Sequence, residues 1–211
     1  MSTITIKTAT LLTLFKAHVV TASTGSTREH LNGVCVSWEG IDFTLVSTDG
    51  HRLLKSRCTE SVECAGHVRD AIIPLYVVTA MVATLTAAKK AKFENAELTF
   101  GGRWVLSVGG QSANYAGVGS DIQFPPYQKV IPSMDREPGF DKEGKPIPPV
   151  THIVINASYM QDLTRVFPGR GKGGETPVRM AWGGALDPMR FDCETPSMAL
   201  TQVYVVMPMR V

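Results

Sequence analysis

The sequence predicts an α+β fold made from one pattern used three times: a short strand, an amphipathic helix and then three antiparallel strands. Two observations carry this expectation. Apolar residues recur at helical spacing in three separate stretches, and each stretch is followed by short runs of alternating apolar and polar residues bounded by turn formers. In the first unit, residues 4–6 read as a strand, and residues 8–22 as a helix with Leu11, Leu12, Leu14, Phe15, Val19 and Val20 on its apolar side. Residues 32–38 alternate with Val34, Val36 and Trp38 on one face. Residues 43–47 place Phe43 and Leu45 together, and residues 51–58 close the unit after a Thr48-Asp49-Gly50 turn.

The second unit opens with a strand over residues 70–73, and Pro74 suits the first turn of a helix through Leu75, Val78, Met81, Val82 and Leu85. Strands follow at 96–100, 104–108 and 112–118, with Gly101-Gly102 as a tight hairpin turn. The third unit repeats the order: a strand at 152–155, a helix from Ala157 to about Val166, and strands at 178–182, 189–193 and 203–208. Residues 133–149, rich in Pro, Gly, Asp and Lys without apolar periodicity, read as a linker. The chain therefore divides into residues 1–132 with two units, the linker, and residues 150–211 with one.

With 211 residues and 44% apolar side chains, the chain can bury a substantial core. A net charge of +2, from 21 basic and 19 acidic residues, is too balanced to argue for nucleic acid by total charge. Charged residues interrupt every apolar run before it reaches the roughly 20 residues that span a bilayer, and residues 1–3 lack a basic leader region, so no membrane partner and a cytoplasmic location are expected. Cys35, Cys58, Cys64 and Cys193 show neither paired spacing nor nearby histidines, which predicts reduced thiols and neither metal nor cofactor. The run from Pro168 to Gly174 is basic and glycine-rich but lacks phosphate-loop spacing. No nucleophile motif or paired carboxylates accompany Asp49 and His51, so an enzyme is not expected, and Asp49 reads as a turn former.

Four separated strings carry a resemblance: Thr48-Asp49-Gly50-His51-Arg52-Leu53, residues 124–132 (FPPYQKVIP), Asn156-Ala157-Ser158-Tyr159, and the terminal Val206-Met207-Pro208-Met209-Arg210-Val211. In this order they resemble the peptide-binding pocket of the bacterial DNA polymerase III beta subunit, the sliding clamp. The resemblance implies a DNA-clamp fold, with residues 1–132 similar to the family's complete middle domain and residues 150–211 to only the second half of its last domain. A lone unit would expose a sheet edge and a helix flank that another copy could cover, as a dimer or as a ring of four chains.

The resemblance also implies a pocket. Its apolar hollow would come from Leu31, Leu53, Val130, Val206, Met207 and Met209, with Thr48, Gly50, Pro125, Lys129, Tyr159, Val205, Pro208, Arg210 and Val211 around it. His51, Arg52 and Asn156 would fix a ligand's backbone or a Gln side chain. Val211 stands where the family usually ends in Leu. The implied DNA-facing residues are Lys7 and Lys16 on the first helix, Arg28 in the loop before Leu31, Lys89, Lys90 and Lys92 at the end of the second helix, and Arg165, Arg170 and Lys172 at and after the third. The second helix starts Leu75-Tyr76-Val77-Val78, where the family is usually basic. Implied partners are double-stranded DNA, a DNA polymerase and other proteins with clamp-binding motifs, a clamp loader, and further copies of the chain. Two functions stay open at this point: a processivity clamp that encircles DNA, or a non-encircling module that competes for or recruits clamp-binding partners.

Overall fold

A computed structural model describes residues 1–25, 27–59, 63–117, 122–133, 143–146, 153–168, 175–184 and 186–209. Strand β1 (Ser2–Lys7) runs into helix α1 (Thr8–Thr21), which buries Leu11, Leu14, Phe15 and His18. The strands β2 (Gly33–Glu39), β3 (Asp42–Thr48) and β4 (Arg52–Cys58) form an antiparallel meander. A short β5 (Glu63–Ala65), which the sequence pattern did not reveal, pairs beside β1. Then come β6 (Val68–Pro74), α2 (Leu75–Lys90) and the meander β7 (Asn95–Phe100), β8 (Arg103–Val108) and β9 (Gln111–Ala116). The last unit contains α3 (Ala157–Gln161), α4 (Leu163–Val166), β10 (Arg179–Ala181), β11 (Met189–Thr195) and β12 (Leu200–Val206).

These strands build two antiparallel sheets, ordered β5-β1-β7-β8-β9 and β10-β11-β12-β4-β3-β2-β6. The first two units exchange their leading strands. β1 of the first unit pairs with β7 of the second, and β6 of the second pairs with β2 of the first. Both helices pack together over one shared core that includes Phe15, Val36, Trp38, Phe43, Met81, Leu98 and Trp104. Trp38 and Trp104 meet edge to face across the join at 6.1 Å, and Trp104 Nε1 donates to the Ile72 carbonyl at 3.1 Å.

The third unit joins the first by sheet continuation. β12 pairs with β4 along its whole length, from Leu200 opposite Cys58 to Val206 opposite Arg52. Its own core gathers Leu54, Val166, Phe167, Phe191 and Tyr204, and α4 packs on α1. A buried polar cluster also ties the units: the His18 ring nitrogens contact Ser47 Oγ at 2.7 Å and Ser56 Oγ at 2.9 Å. Gln202 on β12 donates to that same Ser56 Oγ at 3.1 Å and to the Val166 carbonyl at 3.0 Å.

Two expectations need correction. Residues 153–156 are not a strand, although residues 152–155 alternate like one. Leading strands in this fold are completed by the other unit of a pair, and the third unit has no such companion among the described residues. The single helix expected over 157–166 is two short helices meeting at Asp162, whose buried carboxylate turns toward Arg52. Smaller differences are that α2 runs on to Lys90 and that β12 starts at Leu200 and stops at Val206. Residues 134–142 and 147–149 of the expected linker lie outside the described residues.

Candidate functional site

The hairpin between β3 and β4 is locked by its own side chains. Asp49 Oδ1 accepts the N–H groups of His51 at 2.9 Å and Arg52 at 3.0 Å, as a turn-forming Asp does. Thr48 Oγ1 accepts the Gly50 N–H at 3.0 Å and donates to the Arg52 carbonyl at 2.6 Å. Gly50 takes φ +94°, a conformation costly for any residue with a Cβ. The chain end then docks on this turn: Met207 N–H donates to the His51 carbonyl at 2.8 Å, and Met209 N–H to the Val154 carbonyl at 2.7 Å.

Residues 122–133 cross the outer face of the same sheet. Phe124, Tyr127 and Ile131 pack on the buried cluster of Cys35, Val46, Leu53 and Val205, and a single 3-10 turn covers Tyr127–Val130. The Tyr127 ring meets Phe124 edge to face at 6.2 Å, and Lys55 Nζ lies 5.9 Å from its centroid. Arg190 Nη1 secures the far end by donating to the Pro132 carbonyl at 2.6 Å.

Between these parts lie two adjoining hollows that share Met207. The first, of about 360 Å³, is walled by Leu31, Thr48, Gly50, Arg52, Leu53, Pro125, Lys129, Val130, Val205 and Met207, together with Arg28, His30, Pro126 and Tyr127. The second, of about 340 Å³, is formed by His51, Asn156, Tyr159, Met207, Pro208 and Met209. Four residue strings far apart in sequence thus meet on one surface. Val206 is the exception. It is fully buried in the third unit's core, because side chains alternate along β12 and Val205 takes the face toward the hollow. Arg210 and Val211 lie outside the described residues.

Sequence reasoning did not include His30, Pro126 and Tyr127 in this wall, although Pro126 and Tyr127 sit inside the quoted 124–132 string. It assigned Arg28 to DNA, whereas the structure sets it in the wall of the first hollow. It also missed Asp162. Arg52 Nε donates to Asp49 Oδ2 at 2.9 Å, its Nη1 binds Asp162 Oδ2, and its guanidinium stacks 4.9 Å from the Tyr159 ring centroid. Arg52 is therefore already neutralised by two carboxylates, and its first role is to pin the hairpin to the third unit. A carboxylate 110 residues away leaves no local signal in the sequence.

Asn156 caps α3, its Oδ1 accepting from Ser158 N at 3.0 Å and Ser158 Oγ at 2.8 Å, so its amide nitrogen is the group that can serve a ligand. Burial, with the Asp49 carboxylate, raises the Tyr159 phenol against a lowering by Arg52, which keeps it a neutral hydroxyl. The site is mainly apolar with a few oriented donors, the general character of a ligand-binding pocket.

Of the basic residues, Lys7, Lys89 and Lys92 converge around a shallow hollow with Glu94 at the joined ends of the first two units. Lys16 and Lys90 are exposed on α1 and α2, and Arg165 is exposed near Asp162 at 3.4 Å. Arg170 and Lys172 lie outside the described residues. The exposed side of α2 is otherwise neutral, with Thr79, Ala80, Ala83 and Ala87. Among the described residues, no helix is long and apolar enough to cross a membrane, and no three His, Cys, Asp or Glu side chains are grouped to hold a metal ion.

Residues 5–107 match the family model described as DNA polymerase III beta subunit, central domain. Among solved structures, a DNA polymerase sliding clamp from Pseudomonas aeruginosa is similar at TM-score 0.76 and 18% identity, over 99% of this chain and 66% of that one. Caulobacter crescentus pol III beta gives TM-score 0.72 and 21% identity over 99% and 66%. A putative DNA polymerase III beta subunit from Eubacterium rectale gives 0.76 and 10% over 99% and 66%. No curated protein sequence matches the chain. The chain carries the sliding-clamp fold and spans about two thirds of the length of these clamps.

Proposed function

We propose that this chain, with its sliding-clamp fold and a segment matching the beta subunit's central domain, acts as a DNA clamp. Copies of it associate around duplex DNA and hold replication or repair proteins there through short peptides. The observation that carries this reading is the pair of adjoining hollows. The first forms where the first unit's hairpin, residues 125–130 and the end of β12 meet, and the second where that hairpin meets Asn156, Tyr159 and residues 207–209.

The chemistry of the hollows selects the ligand. The first accepts a branched or aromatic side chain against Leu53, Tyr127, Val205 and Met207. The second offers His51, the Asn156 amide and the Tyr159 hydroxyl to a peptide backbone or a side-chain amide. Methionine at the shared wall adapts to different side chains, which suits a surface that serves several partners. DNA contact falls to the exposed lysines of α1 and α2 and would be sequence-independent, a set of phosphate contacts that permits sliding. Residues 1–132 would act as one complete clamp domain and residues 150–211 as a half domain.

The test is fluorescence anisotropy with a labelled peptide containing Gln and Leu in a short clamp-binding motif. Binding is expected with a dissociation constant of order micromolar, about −8 kcal/mol. Met207→Ala should weaken it by roughly tenfold, from about 1.5 kcal/mol of lost apolar contact. Wild-type affinity in that variant, or no binding by the native chain, would refute the pocket.

A further inference from the structure

The way the first two units join supplies a template for what covers the third. Each lends its leading strand to the other in a single register: Ile6 lies opposite Ala96, and Ile73 opposite Val34. In both, the residue just before the helix N-cap faces the first inward side chain of the strand after the companion's helix. The third unit has the same parts. Ile155 precedes the N-cap Asn156, and Met180 lies in β10 with Val178 just before that strand, in the order of Val36 and Val34. Yet β10 is the outermost strand of its sheet, and no described strand lies on its far side.

Exposure marks the same gap. Val36 and Leu98, the inward residues of β2 and β7, are 0% exposed, and Trp38 is 1% exposed. Met180 lies opposite the buried Phe191 and so points to the core side of its sheet, yet it is 48% exposed. Trp182, two residues on, where Trp38 stands in the first unit, is 46% exposed. Leu186 in the following turn is 63% exposed. A core-side Met and a nearby exposed Trp, beside a strand edge with no described neighbour, form an interface in waiting.

We infer that two copies of this chain join through their third units by reciprocal strand exchange. Residues 153–155 of each copy add to β10 of the other, with Ile155 opposite Val178 and Ile153 opposite Met180. The occupant is a second copy because the third unit carries both halves of the exchange, the donor strand and the acceptor edge, and a twofold axis satisfies both at once. The segment is not in a strand, it keeps Ile153 and Ile155 on its own unit's core while the Val154 carbonyl accepts the Met209 N–H, and it precedes a helix as β1 and β6 do. Assembly by this contact is even-numbered. The inference deepens the clamp reading by naming how copies meet, but it depends on neither the peptide hollow nor DNA.

The experiment mixes full-length chains carrying Ile155→Cys with chains carrying Val178→Cys, all in a Cys64→Ser background, under mild oxidation. A covalent heterodimer by intact mass is expected, with severalfold less product when Val154→Cys replaces Ile155→Cys. Trp182→Glu should raise the dimer dissociation constant more than tenfold in sedimentation equilibrium while peptide affinity, which reports the fold, stays unchanged. Tyr127→Ala should lose peptide and still dimerise, which separates this contact from the pocket. A native chain that stays monomeric, cross-linking indifferent to position, or self-association untouched by Trp182→Glu would each overturn the inference.

Discussion

His18 makes the stability of the protein depend on pH in a calculable way. Its ring is fully buried between Ser47 and Ser56, and burial lowers its pKa from 6.5 to about 3. The folded state therefore holds His18 neutral, whereas the unfolded chain takes up a proton below pH 6.5. Stability from this site is complete above the unfolded pKa and is lost as the pH falls toward the folded one. Proton linkage gives a loss of about 2 kcal/mol at pH 5 and about 3 kcal/mol at pH 4. Urea denaturation at pH 7.5 and 5.0 reads the first value, a window in which most carboxylates stay ionised. His18→Asn should start less stable, because a buried network is disturbed, and should flatten the profile between those pH values. An unchanged profile in that variant, with native-like structure, would refute the assignment of the loss to His18.

The remaining predictions concern the site and its supports. Asp162→Ala leaves Arg52 with only Asp49 as counter-charge and should destabilise the chain by about 2 kcal/mol, less than for a fully buried pair because Arg52 is partly exposed. The same variant should weaken peptide binding; a urea midpoint and an anisotropy titration both within error of wild type would argue against the pin. Gly50→Ala puts a Cβ on a residue at φ +94° in open space, so backbone strain alone should cost about 1 kcal/mol in thermal unfolding. If Lys16, Lys89 and Lys92 meet phosphates, changing all three to Gln should reduce the salt slope of DNA association by about 3, and an unchanged slope would remove them from the DNA face.

Apart from the short β5, sequence patterning revealed the elements of the first two units because their apolar positions serve a single shared core. Val34, Val36 and Trp38 alternate in the sequence and are all buried. The third unit was legible only in part. The run 152–155 has strand chemistry, but a strand needs a neighbour, and pairing is a property of the assembly that no local pattern encodes. At the site, the four strings marked the surface that the structure brings together, while strand alternation removes Val206 from it. Tyr127 and His30 went unassigned because an aromatic or imidazole in a loop has no periodicity to declare its side. Arg52 lines the first hollow and is also held by Asp49 and Asp162, pairings of which only the nearer is local in sequence.

The most direct test of the clamp itself is topological. Native chain is mixed, above its assembly concentration, with nicked circular DNA and a labelled clamp-binding peptide, and DNA-bound material is separated by gel filtration at moderate salt. The account predicts that chain and peptide co-elute with the circle and that both are released when a restriction enzyme linearises it. Absence of retention on the circle, or equal retention on circular and linear DNA, would contradict a clamp that encircles duplex DNA.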